Sequence, residues 1–167
     1  MKKHLIIPLM IFILAGCSDD GLKEIESAEK NAKDNRMEEA VALYEKVIKE
    51  NPEGENTAKA YYELATIYKN GLHPKLSPQI QSQKALEYYK SAYENFPDSK
   101  EAPQSMFMTG FILNNDLMDY QAATKTYKEF LTKYPNHELV TAAKAELENI
   151  GLTPEQILMK RLQLGKK

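Results

Sequence analysis

One pattern of four residues occurs three times in the chain and constrains its fold more than any other feature. An alanine is followed four positions later by a tyrosine, then three later by an apolar residue, then five later by a proline. The first three residues share one helical face, and the proline falls where a helix has already ended. Each copy therefore predicts an amphipathic helix with the same inward face. The copies are Ala40, Tyr44, Val47 and Pro52; Ala85, Tyr89, Ala92 and Pro97; and Ala123, Tyr127, Phe130 and Pro135.

The spacing of the copies indicates a repeat protein. They begin 45 and 38 residues apart, slightly more than the roughly 34 residues of a tetratricopeptide repeat, which is a pair of helices. A second helical pattern precedes each copy, so the sequence predicts an all-α, tetratricopeptide-like α-solenoid of about three helix pairs over residues 22–151. A further helix over 138–149 has no partner of similar length and supplies the terminal cap that a solenoid needs.

Residues 152–167 are expected to form a C-terminal helix and tail. Thr153 and Gln156 have the spacing of a capping box, in which each side chain bonds the backbone N–H of the other residue. The apolar residues that follow are expected to fold back on the solenoid as part of its cap. They are Ile157, Leu158, Leu162 and Leu164.

The first residues have the pattern of a secretory signal. Two lysines precede a short apolar run, and the run ends in Leu-Ala-Gly-Cys. The apolar run is too short to span a bilayer well. The ending resembles a lipobox, so residues 1–16 are predicted to be a lipoprotein signal peptide and Cys17 to carry the lipid. A plain signal peptide or a buried N-terminal helix is the alternative. Residues 17–21 would form the lipidated cysteine and a short linker. The residue after the cysteine is Ser18 rather than aspartate, which favours anchoring in the bacterial outer membrane, on its periplasmic side.

Charge and motif content exclude several functions. Removing residues 1–16 takes away two lysines and no acid, leaving a net charge of −4, so no excess of positive charge remains to bind nucleic acid. The chain has no HExxH or CxxC metal spacing, glycine-rich phosphate loop or GxSxG elbow. We therefore expect no enzyme activity, catalytic residue, metal or cofactor. Cys17 is the only cysteine, so no internal disulfide can form.

Residues 71–79 form the one long interruption of the repeats. Pro74 and Pro78 exclude helix from most of it, whereas Ser77 before Pro78 predicts an N-cap with proline at the first helical position. A loop of this size is either functional or a tolerated surface insertion, and the sequence leaves both interpretations open. His73 in this loop is a ligand or proton carrier on the first interpretation, and an ordinary exposed histidine on the second.

A partner-binding groove can be placed from the repeat register. In tetratricopeptide folds the first helix of each pair lines the concave face, and the register is counted from the Leu64-Ala65 and Thr109-Gly110 positions. Phe107 and Phe111 lie four apart and share a helical face, so they either form an aromatic floor or fill the space between the second and third repeats. The predicted groove residues are Tyr62, Thr66, Lys69, Gln104, Phe107, Phe111 and Asn114.

Residues 83–151 resemble a known bacterial domain. Two turns carry the resemblance, Phe-Pro-Asp-Ser at 96–99 and Tyr-Pro-Asn-His at 134–137, together with Met106, Phe107 and Gly110. With these residues the segment resembles the C-terminal domain of the Tol–Pal-associated protein that coordinates cell-wall synthesis with outer-membrane constriction. The lipobox followed by repeats also resembles the tetratricopeptide lipoprotein of the barrel-assembly machine.

These resemblances imply a lipid-anchored scaffold or adaptor. Its partners would be other envelope proteins, bound in bacterial cell-envelope assembly or maintenance, with the membrane reached through lipidated Cys17. The alternatives are an accessory lipoprotein that binds a glycan or a peptide in its groove, or a subunit of an envelope enzyme.

Overall fold

The structure is a computed structural model that describes residues 20–164. These residues form helices joined by turns, with no β-strand in this part of the chain, so the all-α prediction is confirmed. The helices are α1 (Leu22–Lys33), α2 (Met37–Glu50), α3 (Thr57–Lys69), α4 (Pro78–Asn95), α5 (Ala102–Asn115), α6 (Tyr120–Lys133), α7 (Val140–Asn149) and α8 (Pro154–Leu164).

Consecutive helices from α1 to α7 pack against one another as a solenoid. The three repeat alanines, Ala40, Ala85 and Ala123, have no exposed surface, and each following tyrosine is at most 1% exposed. A small side chain lets the paired helices approach, and the tyrosine then fills the adjoining space with a large apolar ring. The predicted register is therefore confirmed in all three pairs.

Gly110 lies at the closest approach of α5 and α6. A Cβ atom there would stand 2.8 Å from the Cε1 and Cζ atoms of the Tyr127 ring, well inside normal contact. The Tyr127 ring is completely buried and has little room to move. Glycine is therefore required for close helix packing here.

The buried side chains form two core clusters. The first contains residues of α1 to α4 together with Ile112 of α5. The second contains Tyr93 from the C-terminal part of α4 and side chains of α5, α6 and α7. Helix α4 contributes to both clusters, because Ala85 and Tyr89 belong to the first.

The loop between α3 and α4 is held by one buried side chain of α4. The Gln81 amide donates to Leu76 O at 2.9 Å and accepts from His73 N at 3.0 Å. Lys75 Nζ in the same loop lies 2.6 Å from Glu38 Oε2 of α2. The loop therefore connects the first and second helix pairs.

Helix boundaries follow the local sequence signals. Gly71, which follows the C-terminal end of α3, has a positive φ of 67° that glycine adopts readily. The Ser77 hydroxyl accepts from Ile80 N at 3.4 Å, which confirms the predicted N-cap before Pro78. Thr153 and Gln156 exchange the two predicted capping-box bonds, at 2.8 and 3.3 Å. Helix α7 begins at Val140, two residues later than expected.

The sequence predicts that the last helix folds back on the solenoid through its leucines. This prediction is wrong for Leu158 and Leu162, the two leucines whose side chains the structure describes. Leu158 is 58% exposed and Leu162 is 53% exposed, and the side chain of Leu164 lies outside the described set. Only Ile157 is partly covered. Between residues 20 and 164, no helix has both the length and the apolar character to cross a bilayer.

Candidate protein-binding face

The first helices of successive pairs lie on the same side of the molecule. Helix α3 contacts α5 directly, in addition to packing against α2 and α4. The predicted groove residues come from these two helices. We call the surface they form the α3–α5 face, comprising Tyr62, Thr66, Lys69, Gln104, Phe107, Phe111 and Asn114.

The best-defined contact across this face joins Lys69 to Phe111. The Lys69 ammonium lies 5.1 Å from the centre of the Phe111 ring and 3.6 Å from the Asp116 carboxylate. A cation over an aromatic ring contributes about 0.5–1 kcal/mol at an exposed site. Lys69 and Phe111 are both partly exposed, so part of an aromatic ring and part of a charged side chain are accessible at the surface.

Tyr62 and Thr66 connect the face to the core of the second pair. The Thr66 hydroxyl lies 2.9 Å from both the Tyr62 carbonyl oxygen and the Tyr89 hydroxyl. The Tyr62 ring meets the Tyr89 ring edge-on, with centroids 5.7 Å apart, and burial raises the pKa of both tyrosines. Both tyrosines therefore stay neutral at physiological pH, and Tyr62 is held in one orientation with part of its ring accessible.

Phe107 differs from Phe111 although both come from the same side of α5. Its ring packs edge-on against Tyr127 and Phe130 of α6, with centroid distances of 5.7 and 6.1 Å. It therefore adjoins the second core cluster, whereas Phe111 contacts Lys69. The structure does not bring the two rings together as a single floor, and most of the Phe107 packing is internal.

The two amides of the prediction occupy different surroundings. Gln104 is exposed near the start of α5. Asn114 is only 9% exposed, and its Oδ1 accepts from Gly151 N at 3.2 Å. Asn114 thus fixes the turn after α7. Whether any of the seven residues binds a partner stays a prediction.

Sequence reasoning missed a group of carboxylates beside this face. Lys59 Nζ lies 2.5 Å from Glu29 Oε1, and Glu63 and Glu101 stand near the same ammonium. Burial, and secondarily the charge of Glu29, raises the pKa of Glu63. The signal was present, because Lys59 and Glu63 are spaced four apart and bracket Tyr62 on α3.

No group of three or more metal-ligating side chains occurs within residues 20–164. His73 stacks on Tyr68, with centroids 5.6 Å apart and ring planes at 15°, and its Nδ1 faces Lys75 N at 3.4 Å. It thus supports the loop between α3 and α4. Cys17 lies outside the described residues.

The repeats match a known family model. Residues 57–99 and 104–137 match the tetratricopeptide repeat, and these segments contain the second helix pair and all but the first two residues of the third. Such repeats stack into solenoids with extended binding surfaces, and they are typical of protein–protein interaction scaffolds. No curated protein matches the chain in a sequence comparison.

A solved structure has the same fold. The N-terminal domain of stress-induced protein-1 (STI-1) from C. elegans superposes with a TM-score of 0.62 at 20% identity. The match covers 78% of this chain and 95% of that one. At this identity the similarity concerns the fold alone, and it supports the tetratricopeptide-like α-solenoid.

Proposed function

We propose that the protein is a lipid-anchored adaptor of the bacterial envelope that binds other envelope proteins on the α3–α5 face. The observation that carries the binding role is the Lys69–Phe111 contact, which bridges two neighbouring repeats and stays accessible to a partner. Aromatic rings are favoured anchors at protein interfaces. Assembly or maintenance of the envelope is the role implied by the resemblances in the sequence.

The N-terminal geometry is compatible with anchoring at Cys17. Asp20 Oδ2 accepts from Glu55 N and Asn56 N at 2.5 and 3.3 Å, in the turn between α2 and α3. Asp20 is therefore fixed to the solenoid three residues after the cysteine. Three extended residues reach about 10 Å, so a lipid on Cys17 would keep the repeats close to the membrane.

Site-specific photocrosslinking in intact cells tests the binding face. A photoreactive amino acid at Phe111 or Tyr62 should give crosslinked protein adducts, which mass spectrometry would identify. Lys128 of α6 and Lys90 of α4 are exposed on the second helices of their pairs and serve as matched controls. Adducts that form equally well from the controls, or from none of the positions, would overturn the assignment of this face.

Stability measurements separate binding from folding. Phe111→Ala should reduce adduct formation from Tyr62 while lowering stability by only about 1 kcal/mol, since its ring packs against neither core cluster and its contact with Lys69 is of that size. Phe107→Ala should cost about 3 kcal/mol, because its ring packs against two buried aromatics. A Phe111→Ala variant as unstable as Phe107→Ala would assign Phe111 to the core.

Anchoring requires a separate test. Metabolic labelling with a fatty-acid analogue in a bacterial host should mark the natural chain and leave Cys17→Ala unlabelled. Label that is absent from both, or present on both, would contradict lipidation at Cys17. The crosslinking result would still stand, because it does not depend on the lipid.

A further inference from the structure

A cleft opens between α1 and α3, next to the α3–α5 face. Its volume is about 400 Å³, which lies within the range of roughly 300–1,000 Å³ typical of pockets that bind ligands. We call it the α1–α3 cleft. Most of its lining is apolar and comes from Ala32, Met37, Ile67 and Leu72.

One carboxylate that lines this cleft has no counter-ion bonded to it. Glu63 is partly buried, and within residues 20–164 no hydrogen bond or ion pair reaches its carboxylate. The Lys59 ammonium is bonded to Glu29 instead, at 2.5 Å. Lys33 also lines the cleft, but it is exposed, so water and salt screen its charge. A cation that entered the cleft would therefore find Glu63 unpaired and only weakly screened.

A buried hydroxyl group of the same cleft is also without a partner. Tyr44 of α2 lines the cleft although it is only 1% exposed, and its hydroxyl makes no hydrogen bond in the described part of the chain. Burial, followed by the charges of Glu63 and Glu29, raises the pKa of Tyr44, so the hydroxyl is protonated and lies near both carboxylates. Buried polar groups are nearly always hydrogen-bonded, so this oxygen is a free acceptor for a ligand.

These groups together match the chemistry of a lysine side chain. Its long aliphatic stem packs on apolar surface while the ammonium stays at a polar group. The Glu63 carboxylate and the Tyr44 hydroxyl supply three acceptor oxygens, as many as an ammonium has N–H donors, whereas arginine has five donors. In arginine the surplus donors would be left unsatisfied against apolar walls.

We propose that the α1–α3 cleft binds a lysine side chain of a partner protein, with the ammonium at Glu63 and Tyr44 and the stem against the apolar walls. The inference rests on the proposed adaptor function, which makes the partner a protein. Tyr62 of the α3–α5 face directly precedes Glu63 on α3, so one extended segment of the partner can contact both surfaces. The cleft thus extends the binding surface to the first repeat.

Titration with a defined peptide, followed by NMR, tests the proposal. The isotope-labelled protein from residue 18 onward, which holds every described helix and lacks Cys17, would be mixed with the capped peptide Gly-Leu-Lys-Leu-Gly. The amide signals of Glu63, Thr66 and Ile67 should shift and saturate with peptide concentration. The same peptide with norleucine in place of lysine keeps the stem without the ammonium and should bind at least about tenfold more weakly. Equal binding of the two peptides, or no shift at these amides, would overturn the proposal.

Two substitutions test the polar groups of the cleft. Glu63→Gln and Tyr44→Phe should each weaken binding of the lysine peptide about tenfold, because each removes one bond to a charged group. The melting temperature of Tyr44→Phe should stay unchanged, since its hydroxyl has no partner in the described chain. Glu138→Gln, at an exposed acid in the turn before α7, controls for net charge and should bind like the natural chain.

Two results with these variants would overturn the proposal. One is full binding by Glu63→Gln or Tyr44→Phe, and the other is equal weakening by Glu63→Gln and Glu138→Gln, which would indicate general charge attraction. Either result would leave crosslinking from Phe111 unaffected, because that test uses no lysine peptide. The cleft and the α3–α5 face can therefore fail separately.

Discussion

The repeat tyrosines Tyr89 and Tyr127 offer a test of how the hydroxyl groups contribute to the core. Both rings are buried at the same position of the repeat pattern. The Tyr89 hydroxyl lies 2.9 Å from Thr66 Oγ1, whereas the Tyr127 hydroxyl has no hydrogen-bond partner among the residues that the structure describes. The same substitution, tyrosine to phenylalanine, should therefore have opposite effects at the two positions.

The expected magnitudes follow from these surroundings. Tyr89→Phe loses one hydrogen bond, worth about 0.5–1.5 kcal/mol, and Thr66 keeps its bond to the Tyr62 carbonyl, so a loss of about 1 kcal/mol is expected. Tyr127→Phe removes a buried hydroxyl whose desolvation costs about 1–3 kcal/mol, so a gain of about 1 kcal/mol is expected. For a protein of this size the difference corresponds to roughly 4–8 °C in melting temperature.

Urea unfolding of the protein from residue 18 onward, followed by circular dichroism at equilibrium, measures both values. Equal slopes against urea for the two variants would show that the compactness of their unfolded states is unchanged. If Tyr127→Phe loses as much stability as Tyr89→Phe, then the Tyr127 hydroxyl is hydrogen-bonded and the argument from its burial is refuted.

Three other substitutions, one of them with a matched control, test the register, the loop and the partly buried carboxylate of Glu63. Ala85→Arg should cost about 3 kcal/mol or more by forcing a charge into a closed contact, and Lys90→Arg should leave the melting temperature unchanged; equal melting would contradict the register. Gln81→Leu should lower the free energy of unfolding by about 1–2 kcal/mol, because two loop backbone groups lose their hydrogen-bond partner. An unchanged free energy of unfolding would mean that the loop keeps its conformation without the Gln81 amide. Because the folded-state pKa of Glu63 is raised, its contribution to stability is present below its ordinary pKa of 4.5 and is lost as pH rises. Glu63→Gln should therefore stabilise the protein at pH 7 and lose this advantage near pH 4, as urea midpoints at both pH values would show; the opposite trend would contradict the buried position.

The register was predictable because it depends on spacing along single helices. Ala40, Ala85 and Ala123 repeat with the same tyrosine and proline partners, so three local patterns agree on one inward face. The sequence could not show that Gln81 is the residue whose side chain bonds the loop between α3 and α4, since its neighbours Gln79 and Gln83 carry the same amide group. Its role depends on how the loop returns over α4, which no helical spacing specifies.

The candidate face was predictable only in part. Periodicity places Phe107 and Phe111 on one side of α5, but the position of α6 decides which ring becomes covered. The orientation of α8 could not be predicted for a similar reason. Its leucines have the spacing of a packed helix, and only the three-dimensional arrangement shows that more than half of the surface of Leu158 and of Leu162 stays exposed.

The membership of α4 in both core clusters has a mechanical consequence. With 18 residues it is the longest helix described, and it carries Tyr89 in the first cluster and Tyr93 in the second. Bending the solenoid between its two halves must therefore deform this helix or pull a buried tyrosine from its cluster. Helix α4 packs against both α3 and α5, so a bend in α4 would change the separation of the two helices that form the α3–α5 face.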